Sequence, residues 1–206
     1  NFSLIMGVAG ASSGQKEVLL AGLAGLLAGS LSMALGEWIS VQSSKELYEN
    51  QMSLEMDELE VNPEGELKEI ELIYRAKGIP ADQAAQMAIE LMNDKNSAHQ
   101  FLVKEELGIN SEELKGSAME AAISSFVLFA IGAILPLFPF FFLGGTLAII
   151  ASAISSSVGL FLIGSAITLF TGKSIWYSGF RQVIFGLLAA AITFGIGKLI
   201  GVSVIG

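Results

Sequence analysis

The chain has no cysteine and only one histidine, His99, among 206 residues. Without thiols there can be no disulfide, thiolate metal site or cysteine nucleophile. A single imidazole excludes a multi-histidine zinc site within one chain, and it gives no ground for a Ser–His–Asp arrangement. Charge is scarce, at 15% of residues, where soluble domains run near about 25%. Basic residues are scarcer still, 11 against 20 acidic ones, for a net charge of −9. That balance disfavours nucleic acid, which rewards basic patches, and docking on anionic lipid, which attracts Lys and Arg. No Walker or dinucleotide pattern appears; Gly36-Glu37-Trp38 is not a phosphate loop.

What is present divides sharply. Residues 121–172 form 52 consecutive positions without Asp, Glu, Lys, Arg or His. A spanning helix needs about 20 apolar residues, so this run accommodates two spans and a turn. Residues 45–120 instead carry 18 acidic and 7 basic residues and cannot lie in hydrocarbon. With a mean hydropathy of +0.64, the chain reads as a membrane body bearing a water-exposed acidic module. That pairing points to handling cations at a bilayer.

The expected fold is all-α, with five transmembrane helices. Residues 1–11 are apolar but too short to span and lack the basic start of a signal peptide; they read as the second half of a helix that begins outside this chain. Residues 12–17 read as a polar turn. From Val18 to Ser44 the chain is apolar and rich in Ala, Gly and Ser at three- and four-residue spacing, which lets helices approach closely in lipid. No breaker follows until Asn62-Pro63, so one long helix should leave the membrane past Trp38 and continue into water. Pro63 suits the first turn of the next helix. That helix covers residues 64–77 with a Leu67, Ile70, Tyr74 stripe and ends at Gly78-Ile79-Pro80. A further helical pattern runs over 82–107, with Ala84, Met87, Ala88 and Leu91 on one side, a break near 93–96 and a cap at Gly108. Ser111-Glu112-Glu113 restarts a helix. Later spans are expected at 115–137, 144–171 and 178–200. The domains are therefore 1–44 (spans one, partial, and two), 45–114 (an acidic three-helix metal-binding module) and 115–206 (spans three to five). Seven of the 11 basic residues lie in the module, and Lys173 and Arg181 flank the last loop. The positive-inside rule makes both cytoplasmic, in agreement with alternating spans.

The module holds the main candidate site. Glu55 and Glu58 stand at i, i+3 on the long helix, and Glu66 and Glu69 repeat the spacing across the Pro63 turn. Four converging carboxylates repel unless a cation is present, and hard oxygen ligands suit Fe²⁺, Mn²⁺, Mg²⁺ or Ca²⁺. The same spacing also describes a solvated helix face, the reading given to Glu60, Glu64 and Glu71. Glu37, near the end of an apolar helix, is costly unless it lines a pathway or aqueous cavity, and Met33 adds a soft thioether one turn earlier. A snorkelling carboxylate beside a core methionine is the competing account. His99, with Glu105 and Glu106, is a candidate ligand or a helix-end residue; Met87 and Met92 read as packing residues.

Several stretches resemble the vacuolar iron transporter family: Gly7-Val8-Ala9-Gly10-Ala11, Ser32-Met33-Ala34-Leu35-Gly36-Glu37-Trp38-Ile39-Ser40-Val41, Glu105-Glu106-Leu107-Gly108-Ile109, and Ser125-Phe126 onward to Gly132-Ala133 and Pro136. The resemblance covers nearly the whole chain. It implies a five-span homodimer with a cytoplasmic metal-binding domain between spans two and three, exchanging Fe²⁺, and often Mn²⁺, for protons. It implies metal ligands at Glu55, Glu58, Glu66, Glu69 and Glu106, and a pathway through Met33 and Glu37. A family methionine falls at Leu102 here, and the family's first-span aspartate would precede Asn1. Residues 43–50 and 73–78 look like the bacterial branch that includes membrane-bound ferritin. The expected function is thus a secondary transporter, a metal(II)/proton antiporter of a bacterial inner membrane or vacuolar membrane, exporting metal from the cytoplasm. The rival readings are the membrane part of a ferritin-like iron-oxidising fusion and a non-transporting metal-binding scaffold.

Overall fold

A computed structural model describes residues 1–11, 14–110 and 116–205, with side chains described up to Gly201. Eight α-helices and one 3₁₀ turn make up these residues, and there is no strand among them. The helices are α1 (Phe2–Ala11), α2 (Gln15–Val61), α3 (Pro63–Ala76), α4 (Ala81–Met92), α5 (Lys95–Glu105), α6 (Ala118–Leu137), α7 (Gly145–Thr171) and α8 (Ile175–Ile205). The chain divides into two compact units, one of residues 1–36 and 122–206 and the other of residues 37–121.

The first unit is built from apolar helices. Four stretches are long and apolar enough to cross a membrane: Gln15–Val61, Ala118–Phe141, Gly145–Thr171 and Ile175–Gly201. α1 is equally apolar but only ten residues long. Large side chains such as Leu20, Leu128, Leu162 and Leu199 point outward, the arrangement lipid demands rather than water. Inside, small residues carry the packing. A Cβ on Gly197 would strike the Gly7 carbonyl, and one on Gly10 would strike that of Phe194. α1 and α8 therefore touch backbone to backbone, tied by Thr193 Oγ1 donating to the Ser3 carbonyl at 2.8 Å. Ile5, Val18, Leu137, Phe140 and Ala148 form the core of this unit. Pro136 sits inside α6, and carbonyls of that last turn take donors from α7: Ser155 Oγ reaches Leu135 at 2.9 Å and Ser152 Oγ reaches Pro136 at 2.6 Å.

In the second unit Leu59, Ile70, Ala88, Ala98 and Leu102 form the core, flanked by Leu67, Tyr74, Leu91 and Met92. The expected stripes of α3 and α4 face it, with one exception. Met87 is 38% exposed and lies outside that core, while Ala84 and Ala88 are the buried residues of α4. The break expected near 93–96 is real: Asp94 caps α5 by accepting from the Asn96 amide at 3.2 Å. Several boundaries shift: α5 ends two residues early at Glu105, α6 starts at Ala118 rather than 115, and α8 runs on to Ile205. α2 starts at Gln15, so the turn is shorter than expected, and α8 starts three residues early at Ile175. Of that expected turn Ser12 and Ser13, like the whole helix restart at Ser111-Glu112-Glu113, lie outside the described residues.

Candidate metal centre

A tight corner builds the site. α2 ends at Val61, Pro63 takes the first position of α3, and the Asn62 side chain accepts from the Gly65 amide at 3.2 Å. Proline suits that position because its missing N–H would have had no helical partner. Glu55 and Glu58, in the last two turns of α2, thereby come into electrostatic range of Glu66 and Glu69, in the first two turns of α3. Glu106 arrives from α5 as its C-cap, its amide donating to the Leu102 carbonyl at 2.8 Å. Gly108, at φ +64, then turns the chain in the left-handed region that suits glycine.

Burial and like charge act together on Glu55, Glu66 and Glu106. Glu55 is 3% exposed and Glu66 5%; Glu55 Oε1 and Glu66 Oε2 are buried without a hydrogen-bond partner. Such orphaned polar atoms in a folded protein call for an explanation, an ion being one. Desolvation, then the charges of Glu106, Glu66, Glu58 and Glu69, pushes the Glu55 pKa up to about 7. Glu66 is raised by burial and then by Glu69 and Glu58. Glu106 is raised first by burial, then by Glu69, Glu66 and Glu58, and finally by a hydrogen bond with the Glu69 carboxyl.

Neighbouring acids behave differently. Glu105 pairs with Lys77 at 2.5 Å, and that ammonium lies 5.6 Å above the Phe101 ring, itself packed on Tyr74. Glu60 pairs with Lys95 at 2.5 Å, and Glu71 with Lys68 and Arg75. Glu64 is exposed. Among the described residues, Glu55, Glu58, Glu66, Glu69 and Glu106 have no ion pair. The glutamates thus differ in their partners: cations hold Glu60, Glu71 and Glu105, while Glu55, Glu58, Glu66, Glu69 and Glu106 have other carboxyls as their charged neighbours.

Those last five do not form a ready-made cage. Among the described residues no three His, Asp or Glu side chains converge on one metal-sized point. Unscreened carboxylates hold apart, and drawing them together requires the positive charge they would bind. His99 is not in the cluster. Its Nε2 lies 2.7 Å from the Met52 carbonyl; facing an acceptor, it must carry the hydrogen. Leu102, where the resemblance puts a methionine, is fully buried in the apolar core. Met33 and Glu37 are both exposed on α2.

The VIT family model matches residues 1–198. The chain belongs to the VIT family. Its relatives within that family include the vacuolar iron transporter of Acanthamoeba castellanii, 38% identical over 199 residues, covering 92% of this chain and 72% of that protein. Vacuolar iron transporter 1 of Arabidopsis thaliana is 28% identical over 200 residues, covering 97% and 80% of the two chains. Vacuolar iron transporter 1 of Oryza sativa subsp. japonica is 30% identical, covering 97% and 79%. What sequence reasoning missed was the Lys77–Glu105 pair and the His99 clasp, because both join residues far apart in the chain.

Proposed function

We propose that this VIT-family chain carries divalent metal, Fe²⁺ and also Mn²⁺, out of the cytoplasm in exchange for protons. The observation that carries the reading is the pair of buried, unpartnered carboxylate oxygens, on Glu55 and Glu66, inside a cluster of five acids with no basic partner. Carboxyls whose pKa lies near neutrality bind either a proton or a metal, and competition between the two is the physical basis of exchange. The names of the relatives support iron as the cargo. In this reading Glu55, Glu58, Glu66, Glu69 and Glu106 collect the ion on the cytoplasmic side, and Glu37 and Met33 line its way through the membrane. α1 contributes to a fifth span, and a second copy related by two-fold symmetry doubles the ligands along the axis.

Fe²⁺ uptake into proteoliposomes holding the full-length protein, with and without an imposed pH gradient, tests this. Gradient-driven uptake that is lost in Glu37→Gln is the expected result. Absence of uptake by well-folded protein would sink the transport reading, and uptake indifferent to the gradient would sink the exchange.

A further inference from the structure

Within the membrane unit, Asn1, Phe129, Gly132, Pro136, Ser156 and Leu160 are among the residues enclosing a cavity of about 250 Å³. Its walls are mostly apolar, but two polar side chains break that surface. Asn1 directs its amide N–H groups to the Ala133 carbonyl at 3.1 Å and the Gly22 carbonyl at 3.4 Å, which leaves Oδ1 buried and without a partner. Ser156 is 4% exposed, and its Oγ also has no partner.

Ser156 is the exception among the buried and half-buried hydroxyls of α7. Ser157, Ser165 and Thr171 each donate back to the carbonyl four residues earlier, and Thr168 to the one three earlier. Ser152 and Ser155 donate across to α6. A hydroxyl in a dry apolar wall has every reason to turn back onto its own helix, since an unmade bond there is expensive. Ser156 does not. Across the cavity Pro136 has no N–H to give the Gly132 carbonyl one turn earlier, which adds a third oxygen with a weakened claim on helix partners. The volume holds more than one water at about 30 Å³ each, and a buried water needs two to four polar partners.

We propose that this cavity is an internal water-binding site of the membrane unit, with bound water hydrogen-bonding Asn1 Oδ1 and Ser156 Oγ. The ligand is small and hydrogen-bonding, since the unpartnered atoms it meets are an amide and a hydroxyl oxygen. The water does for the broken turn of α6 what an intrahelical bond does elsewhere in the helix.

Two measurements on the full-length protein in lipid test the site. In X-ray hydroxyl-radical footprinting, radicals arise from local water. Phe129 and Leu160 should be oxidised well above the lipid-facing Ile154 and Leu162 on α7, and Ser156→Ala should remove the excess. Labelling of Phe129 and Leu160 no greater than at the two lipid-facing residues would overturn the proposal. Thermal stability discriminates in the opposite sense. In a hydrated site Ser156→Ala loses a hydrogen bond and lowers Tm by about 2–4 °C. In a dry one it removes an unpaired hydroxyl, leaving Tm unchanged or higher, and that result would also refute the water.

Discussion

Glu55 concentrates the chemistry of the second unit in one side chain. Its ordinary pKa of 4.5 is raised to about 7 by burial and by the acids around it. The sign of the linkage follows. Below 4.5 the carboxyl is protonated whether the protein is folded or not, and its contribution to stability is complete. Between 4.5 and about 7 the unfolded chain releases the proton while the folded one retains it, so stability falls as pH rises. Metal-free Glu55→Gln should therefore match the parent near pH 4.5 and exceed it in Tm at pH 8, as differential scanning would read. The same variant should lose affinity for Mn²⁺ by at least about the 10–100-fold that even an outer-shell partner costs, measured by calorimetry on the full chain. The spacing of Glu55, Glu58, Glu66 and Glu69 was legible in the sequence because α2 and α3 place each pair one turn apart. Naming Glu106 rather than Glu105 came from the family motif; the pairing of Glu105 with Lys77, from the end of α3, is not legible in spacing along α5.

At the scale of elements, helix ends were readable and helix neighbours were not. Pro63, Gly78, Pro80 and Gly172 act locally, by a missing N–H or a positive φ, and they put boundaries within a few residues of where they stand. Which faces meet depends on the whole fold, and Met87, expected in the α4 stripe, is 38% exposed. Leu102 gives a direct check of the packing. It lies among Leu59, Ile70, Ala88 and Ala98, so Leu102→Ala should cost about 2–5 kcal/mol in denaturant unfolding. His99 ties α5 to α2 through the Met52 carbonyl. His99→Ala should cost about 0.5–1.5 kcal/mol and weaken metal binding only indirectly, whereas a ligand role would make the loss of binding comparable to that of Glu55→Gln. In the first unit, Gly197→Leu would push α8 off α1, and a drop in folded yield from the membrane fraction should report it.

The whole molecule couples a lipid-facing body with an acidic unit, both of which were visible in the distribution of charge along the chain. Binding and stability must then be linked through pH. A divalent ion that engages only the ionised cluster stabilises the folded chain by RT ln(1 + [L]/Kd), about 2.7 kcal/mol at a hundredfold excess over Kd. Mn²⁺ should raise Tm strongly at pH 8 and hardly at pH 5, where protons hold the carboxyls. A metal-induced shift of equal size at both pH values would dissociate the ion from these five acids.

The raised pKa of Glu55 has a consequence of another kind. With its pKa raised to about 7 by burial and four neighbouring acids, Glu55 makes the acidic unit a small buffer and, under the proposed function, a receptor as well. Every ion that loads must expel what the buffer holds. Metal arrival would thus register as a local pulse of acid whose size varies with the resting pH, and a dye in weakly buffered solution would count it as a fractional number of protons per ion.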